Sequence, residues 1–323
     1  MHGGWQVREY AIRRLAGAAV VVALVSIIVF ILMHLLPGDA LLTKLGETGR
    51  IPEDQMDELR AKMGIDDPLY VQYFRWVGDI FDGSMGESLI YDGREVSGRI
   101  MDAAPVTLEL GLLAMAAAMV IGVPLGVIAA IRQDGPIDYL CQAIALTGLS
   151  VPSFLIGLLV IIYGTLHFGY RPPREYIGLT EDPIGNLKQM AIPVLILGYG
   201  LAASIMRMTR STVLETLRQD YTRTARAKGL AARVVVWRHV LRNALIPVVT
   251  MAGNQAAFIL SGALIIEILF IMPGLGQLTY TAIIQRDYTQ VQGNALVVAA
   301  IVVLVNLVVD LSYGLIDPRI RYG

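Results

Sequence analysis

Between Met206 and Ala244, nine Lys and Arg stand against two acids, Glu215 and Asp220. Side chains of this kind recognise negative charge on a protein, on lipid head groups or on phosphate. The stretch carries no nucleic-acid-binding motif and apolar runs flank it, so its partner is a protein or lipid head groups rather than nucleic acid. Covalent and hydrolytic chemistry has little to work with. No G-x-x-x-x-G-K-[ST] loop is present to cradle ATP phosphates, and neither H-E-x-x-H nor G-x-S-x-G occurs. His2, His34, His167 and His239 are scattered, and His34 reads as an interfacial residue. The one cysteine, Cys141, lies in an apolar run, so no disulfide framework or Cys-based metal site can be built and it reads as a packing residue.

The other candidates are polar or helix-breaking residues inside apolar runs: Ser150 and Pro152, then Asn254, Gln255, Ser261 and Glu267, then Pro273 and Gly274, and finally Asn306 and Asp310. Ionisable groups at membrane depth are functional hypotheses by default. Each also has a plainer reading. Asn254, Gln255, Asn306 and Asp310 serve equally as interhelical hydrogen-bond glue. Glu267 lies near an outer end, where it would be solvated, and Pro152 kinks a helix.

These residues need elements to position them. Before Gly229, Val213, Leu217 and Tyr221 recur four apart. After it, Leu230, Val234, Trp237, Leu241 and Ala244 recur four and three apart. Each set is one face of a helix. Gly229 accepts the left-handed backbone that ends a helix, so the stretch reads as helix, Gly turn, helix, with basic outer faces.

The whole chain is 323 residues, 55% hydrophobic and 16% charged, where a soluble domain carries about 25% charge. Mean hydropathy is +0.60. That composition specifies an all-α integral membrane protein. Residues 1–36 are a basic N-terminus and a first span, too long for a signal peptide core. Residues 37–104 are a polar insertion with fourteen acids against seven Lys and Arg. Within it, one helix is expected from Pro52 to Gly64. A second is expected to be capped by Asp67-Pro68, with Val71, Phe74, Val77 and Phe81 on one face, joined by Tyr73 and Trp76. Residues 105–316 form a five-helix core with spans near 105–131, 139–168, 189–206, 245–271 and 295–316, and the basic segment occupies 211–244. The second span carries Glu109 at its outer end and a GVPLG interruption near its inner end. Residues 317–323 are a basic tail. Six spans put both termini on one side, and the positive-inside rule makes that side the cytoplasm.

DYTRTARAKGL followed by HVLRNALIP resembles the cytoplasmic loop of ABC importer permeases of the peptide/nickel branch. That family's Glu-Ala-Ala, three residues, Gly pattern is filled here by Arg223-Thr224-Ala225 and Gly229. Two triplet positions depart from it, and the usual Leu-Pro sits further on at Ile246-Pro247; both departures are usual in the peptide branch. LLPGDA, ALTGLSVPSFLIG, MPGLGQL, RDYTQVQG and NLVVDLSYGLIDPRIR extend the resemblance to nearly the whole chain.

The resemblance implies the type I importer permease fold: six transmembrane helices with a helical extracytoplasmic insertion after the first, in a bacterial cytoplasmic (inner) membrane. It implies a permease that is not itself an enzyme and binds no cofactor, with ATP and Mg on two partner ATP-binding subunits. Its other partners would be a second permease subunit, an extracytoplasmic substrate-binding protein and membrane lipid. LLPGDA and the long first outer loop resemble the first of two paired permeases, hence a heterodimer. Asp220, Tyr221, Arg223, Thr224, Ala225, Arg226, Ala227, Lys228, Gly229 and Leu230 would meet the ATPase. Ala225 and Ala227 would allow close approach, and the three cations would pair with acids. Trp237, with Leu230, His239, Arg242, Asn243 and Pro247, would anchor the segment to the bundle. Glu267, Pro273 and Gly274 would lie near an outer gate. The implied substrate is a di- or oligopeptide; the same branch carries nickel, glutathione or oligosaccharides. The competing classes are a stand-alone secondary transporter, which usually shows paired broken helices in related halves, and a membrane enzyme, which needs clustered reactive groups.

Overall fold

A computed structural model describes residues 3–35, 66–91, 93–173 and 175–316, with side chains outside the description for residues 3–12, 261 and 310–316. Hydrocarbon offers no partner for a bare backbone N–H or C=O, so an apolar chain of this kind folds as helix. The described helices are α1 (Gly3–Leu35), α2 (Leu69–Asp82), α3 (Val96–Ile131), α4 (Pro136–Ser150), α5 (Ser153–Phe168), α6 (Pro183–Leu217), α7 (Asp220–Ala227), α8 (Leu241–Phe270), α9 (Leu275–Gln285) and α10 (Tyr288–Ile316). A turn of α-helix, Ala232–Val234, and a π-helical stretch, Val235–Val240, lead into α8. Five runs are long and apolar enough to cross a membrane, or up to seven when each of two bent pairs is taken as one span.

Several element boundaries differ from the sequence reading. The third span is not one kinked helix. It breaks at Val151-Pro152 into α4 and α5, bent by 98°. The second span starts at Val96, inside the segment assigned to the insertion, and GVPLG does not interrupt it. The fourth span extends at both ends, to Pro183 and Leu217. The α-helix of the fifth begins at Leu241 and that of the sixth at Tyr288. The connection after Phe270 is itself helical, α9. The expected helix from Pro52 to Gly64, most of LLPGDA, the tail and the Asp310 side chain lie outside the described residues.

The chain divides into two compact units, one of residues 1–107 and 273–304, the other of residues 108–272 and 305–323. In the first unit Phe30, Trp76 and Leu296 form a small core with Val22, Tyr73, Val77 and Ile80 against it. The apolar face of α2 is therefore Tyr73, Trp76, Val77 and Ile80. Phe74 and Phe81, expected on that face, point away and are exposed. Asp67 does not cap α2 with its side chain; it pairs with Arg75 at 2.5 Å.

The second unit is built against α6, whose apolar window is 61% buried. Cys141 and Ala145 of α4 pack with Ala203 and Met206 of α6 and with Ala129 of α3. α3 reaches α6 through glycines. A Cβ at Gly122 would lie 2.7 Å from the Ala202 carbonyl oxygen, and one at Gly126 would lie 2.6 Å from that of Met206. GVPLG is thus a G-x-x-x-G contact face, where small residues let two backbones approach. Gly198 returns the arrangement, since its Cβ would stand 2.9 Å from the Ala114 carbonyl oxygen.

Because the obstructing atoms are backbone, Gly122→Leu must push α3 and α6 apart at an overpacking cost of about 1–3 kcal/mol. The detergent-purified variant is expected to melt several degrees below both the wild type and the control Val120→Leu, whose side chain is exposed. A wild-type midpoint would show that α3 and α6 do not cross closely there.

Candidate functional site

The basic segment folds as three pieces rather than two. α6 stops at Leu217, and Arg218 and Gln219 turn the chain, with their N–H groups bonding back to Glu215 O (3.1 Å) and Thr216 O (3.2 Å). α7 then runs for eight residues. Its inner face is Thr222 and Ala225, three apart and both buried. The Thr222 hydroxyl donates to the Thr216 carbonyl at 2.9 Å, which ties the first turn of α7 to the last turn of α6. Ala225 packs among Val213 of α6 and Val235, Val236 and Val240 of the lead-in to α8. The expectation that Ala225 faces a partner is therefore corrected: it seats α7 on its own chain.

Asp220, Arg223, Thr224, Arg226, Ala227 and Lys228 form the outer face and are exposed. Arg223 and Asp220 stand 3.9 Å apart in solvent, a separation that contributes little. Tyr221 is half-exposed, and its hydroxyl accepts from Asn243 Nδ2 at 3.0 Å, so α7 is also tied to α8. Beside α7, Arg210, Ser211, Leu214, Glu215, Arg218 and Gln219 line an open polar recess of about 450 Å³.

α7 ends as the sequence suggests. Gly229 has φ +77°, its N–H bonds to Arg226 O at 2.9 Å, and Leu230 N–H bonds to Ala225 O at 3.4 Å. This is the paired 6→1 and 5→2 closure of a Schellman turn. Two of the expected anchors beyond it are not buried. Leu230 and Trp237 are exposed, while Val235, Val236 and Val240 are buried. The π-helical turns add a residue per turn, so the buried stripe leaves the three-and-four spacing that singled out Trp237. His239 and Pro247 are half-buried, and Arg242 and Asn243 are exposed.

Two residues that the sequence reading did not single out fix α4 to α6. Arg210 donates through Nε and Nη2 to the two carboxylate oxygens of Asp138, each at 2.7 Å. Asp138 has no exposed surface and also accepts from Asp134 N–H (3.0 Å) and Gln142 Nε2 (2.9 Å). Such a pair holds geometry, and removing one partner of a buried pair costs about 3–5 kcal/mol. The local signal was legible, an acid in the first turn of a helix opened by Pro136. Its partner seventy-two residues away was not.

The pathway candidates do not form one cluster among the described residues. Ser150 and Pro152 are exposed at the α4–α5 corner, beside a recess of about 220 Å³ that Gly148, Ser153, Gly200, Phe258 and Gly262 help to line. Asn254 and Asn306 are exposed, Gln255 is half-buried and Ser261 lies outside the described side chains. Glu267 is fully buried, which corrects the expectation of a solvated carboxylate. Four residues on, Ile271 ends α8 at φ +57°, ψ +44°, a strained backbone for a β-branched side chain. Pro273 is exposed, and buried Gly274 begins α9.

Glu109 of α3 accepts from the Tyr176 hydroxyl at 2.7 Å. Burial and that carboxylate hold the phenol protonated well above its usual range.

In the first unit Asp287 is buried and accepts from Ser88 Oγ (2.5 Å), Leu89 N–H (3.1 Å) and Gln290 N–H (3.2 Å). Arg99 donates to Gln290 Oε1 at 3.0 Å and lies over the Tyr91 ring. Gln290 passes the chain on to Asn294 at 2.8 Å. RDYTQVQG therefore fastens Ser88 and Leu89 to the start of α10. No group of three or more His, Cys, Asp or Glu able to hold a metal ion occurs among the described residues.

Residues 122–322 match the model of the binding-protein-dependent transport system inner membrane component, and residues 7–111 match that of its N-terminal region. A putative peptide permease protein of Brucella suis biovar 1 is 41% identical over 311 residues, covering 96% of this chain and 97% of that one. The dipeptide transport system permease protein DppB of Escherichia coli K12 is 36% identical over 337 residues, covering 97% and 99%. A crystal structure of an amino acid ABC transporter with histidines shares the fold, with TM-score 0.50 and 18% identity over 69% of this chain and 95% of that one.

A Cβ at Gly229 would meet no atom within 4 Å, so substitution there is limited by backbone strain alone. For a β-branched residue that strain is about 1–2 kcal/mol, a factor of roughly 5–30 in an opening equilibrium. Hydrogen exchange across residues 220–228 is expected to rise by about that factor in Gly229→Val and to stay near wild type in Gly229→Asn, because Asn tolerates the left-handed region. Equal protection in both variants would mean that the turn does not hold the end of α7.

Proposed function

We propose a role for this chain from one premise: it belongs to the family of inner-membrane components of binding-protein-dependent transport systems. Members are multi-pass permeases that work with ATPase and substrate-binding subunits. Within that frame the chain forms half of the pathway of an ATP-driven importer, beside a second, non-identical permease and above two ATP-binding subunits that carry ATP and Mg. Both termini and α7 lie in the cytoplasm, which the basic asymmetry of the loops favours. The cargo is a di- or oligopeptide, the reading supported by relatives named as peptide and dipeptide permeases. No observation favours nickel, glutathione or an oligosaccharide.

The observation that carries this reading is a short helix with an exposed basic face and a buried seat. Arg223, Arg226 and Lys228 face outward while Thr222 and Ala225 fix the helix to the end of α6 and the lead-in to α8. An ATPase groove with acidic side chains would engage that face. ATP binds the closed ATPase dimer preferentially, so it shifts the population toward that arrangement. α7 would move with the groove, and α6 and α8 would tilt with it. Leu230, being exposed, is available to meet the ATPase. Glu267, Pro273 and Gly274 belong to the opposite end of the pathway, where the strained stop at Ile271 supports a hinge.

Charge reversal at Arg223 and Arg226 leaves the seat untouched, since both side chains are exposed. The double variant Arg223→Glu/Arg226→Glu is expected to insert and melt like the wild type but to lose co-purifying ATPase subunits and peptide uptake. Wild-type recovery of the ATPase together with wild-type uptake would overturn this assignment of α7.

A further inference from the structure

α2 lies beside the membrane-crossing helix α1, not beyond its end. The apolar part of α1, Arg13–Leu35, is 23 residues long. At about 1.5 Å per residue it spans about 34 Å, enough to cross a hydrocarbon layer of about 30 Å. Ser26 is nine positions before Leu35, about 13 Å down that helix. Its hydroxyl bonds the Tyr73 hydroxyl of α2 at 2.9 Å. Nearer the end, the Phe30 ring meets Tyr73 edge-on at 5.3 Å and stacks with Trp76 at 6.3 Å, and His34 Nε2 contacts Gln72 at 3.1 Å. Val22, Ser26, Phe30 and His34 are spaced four apart, so one stripe of α1 receives α2. The rest of α1 at this depth stays uncovered, with Leu24, Ile28 and Leu32 each more than half exposed. In a membrane those residues face acyl chains.

At 100° per residue α2 has three faces rather than two. Tyr73, Trp76, Val77 and Ile80 turn toward the core with Phe30 and Leu296. Gln72, Arg75, Asp79 and Asp82 make a polar face. Between these faces runs a row of Tyr70, Phe74, Gly78 and Phe81. Its three aromatic side chains are 67%, 68% and 87% exposed. Leaving Phe rings in water forgoes the gain of burying their apolar surface.

We propose that α2 is a membrane-associated helix and that Tyr70, Phe74 and Phe81 contact lipid in the leaflet that holds the C-terminal half of α1. The aromatic row sits on a helix packed at the depth of Leu24–Leu35, side by side with a lipid-facing surface. Tyr and Phe suit the boundary between acyl chains and head groups. Arg75 reaches back to Asp67 before the start of α2, so its charge is carried toward the end of α1.

The test uses single-cysteine variants in a Cys141→Ala background, since Cys141 is the only native cysteine. Phe74→Cys and Phe81→Cys are spin-labelled in the full chain with its co-purified subunits. Ile28→Cys is the lipid control and Arg94→Cys the water control. The assembly is placed in vesicles of phosphatidylethanolamine and phosphatidylglycerol, and collision with oxygen is compared with collision with a water-soluble nickel chelate. Labels at Phe74 and Phe81 are expected to favour oxygen severalfold, as at Ile28, with Arg94 reversed. Nickel access equal to that at Arg94 would put the row in water and overturn the proposal. Access to neither reagent would put it under a protein partner and overturn it equally.

Discussion

The second unit depends on how closely other helices can approach α6. Its apolar window is 61% buried, the highest share among the five candidate spans. Lipid gives helices no hydrophobic reason to associate, so close packing and paired polar groups must do it. Gly122 and Gly126 bring α3 against the Ala202 and Met206 carbonyls, and small residues on α4 do the same from another side. The Asp138–Arg210 pair then fixes the start of α4 against α6. With α6 held along its length, its last turn offers a fixed carbonyl, that of Thr216, to the Thr222 hydroxyl.

That order of dependence gives α7 its mechanical meaning. A helix of eight residues has little stability of its own. It is kept by one buried hydroxyl bond, one buried methyl, the Tyr221–Asn243 tie and the closure at Gly229. None of these uses the cations on the outer face. The outer face is therefore available for a partner while the inner face is committed to the chain. A displacement applied to the cations would reach α6 through Thr222 and the lead-in to α8 through Ala225.

Much of this was legible in the sequence. Membrane class and helical content follow from composition and run length, and Gly229 as a turn follows from the helical spacing on either side of it and the left-handed backbone that Gly accepts. What escaped was set by distant partners. Trp237 fits a three-and-four stripe, but the π-helical stretch at Val235–Val240 moves the buried positions, and no local pattern announces a π turn. Phe74 and Phe81 look like a core face until Phe30 and Ser26 of α1 select Tyr73 and Trp76 instead. Pro152 announced a bend, though not one of 98°. GVPLG looks like a break because Gly and Pro weaken an isolated helix, yet Gly122 and Gly126 are needed for close approach. Glu267 looks solvated from its place near a helix end, and only the packed structure shows it buried.

The central claim is that α7 and α6 move as one body. Nitroxides at Leu195 on α6 and Asp220 on α7, both exposed and neither one of the three cations, report it through their distance distribution in the assembled transporter. A second pair, Asp220 with Arg94, follows α7 against a position in the other unit. On addition of a non-hydrolysable ATP analogue, the account predicts an unchanged Leu195–Asp220 distribution and a shifted Asp220–Arg94 one. A Leu195–Asp220 distance that shifts or broadens while the other stays fixed would contradict it, because α7 would then be yielding on its seat instead of carrying α6 with it.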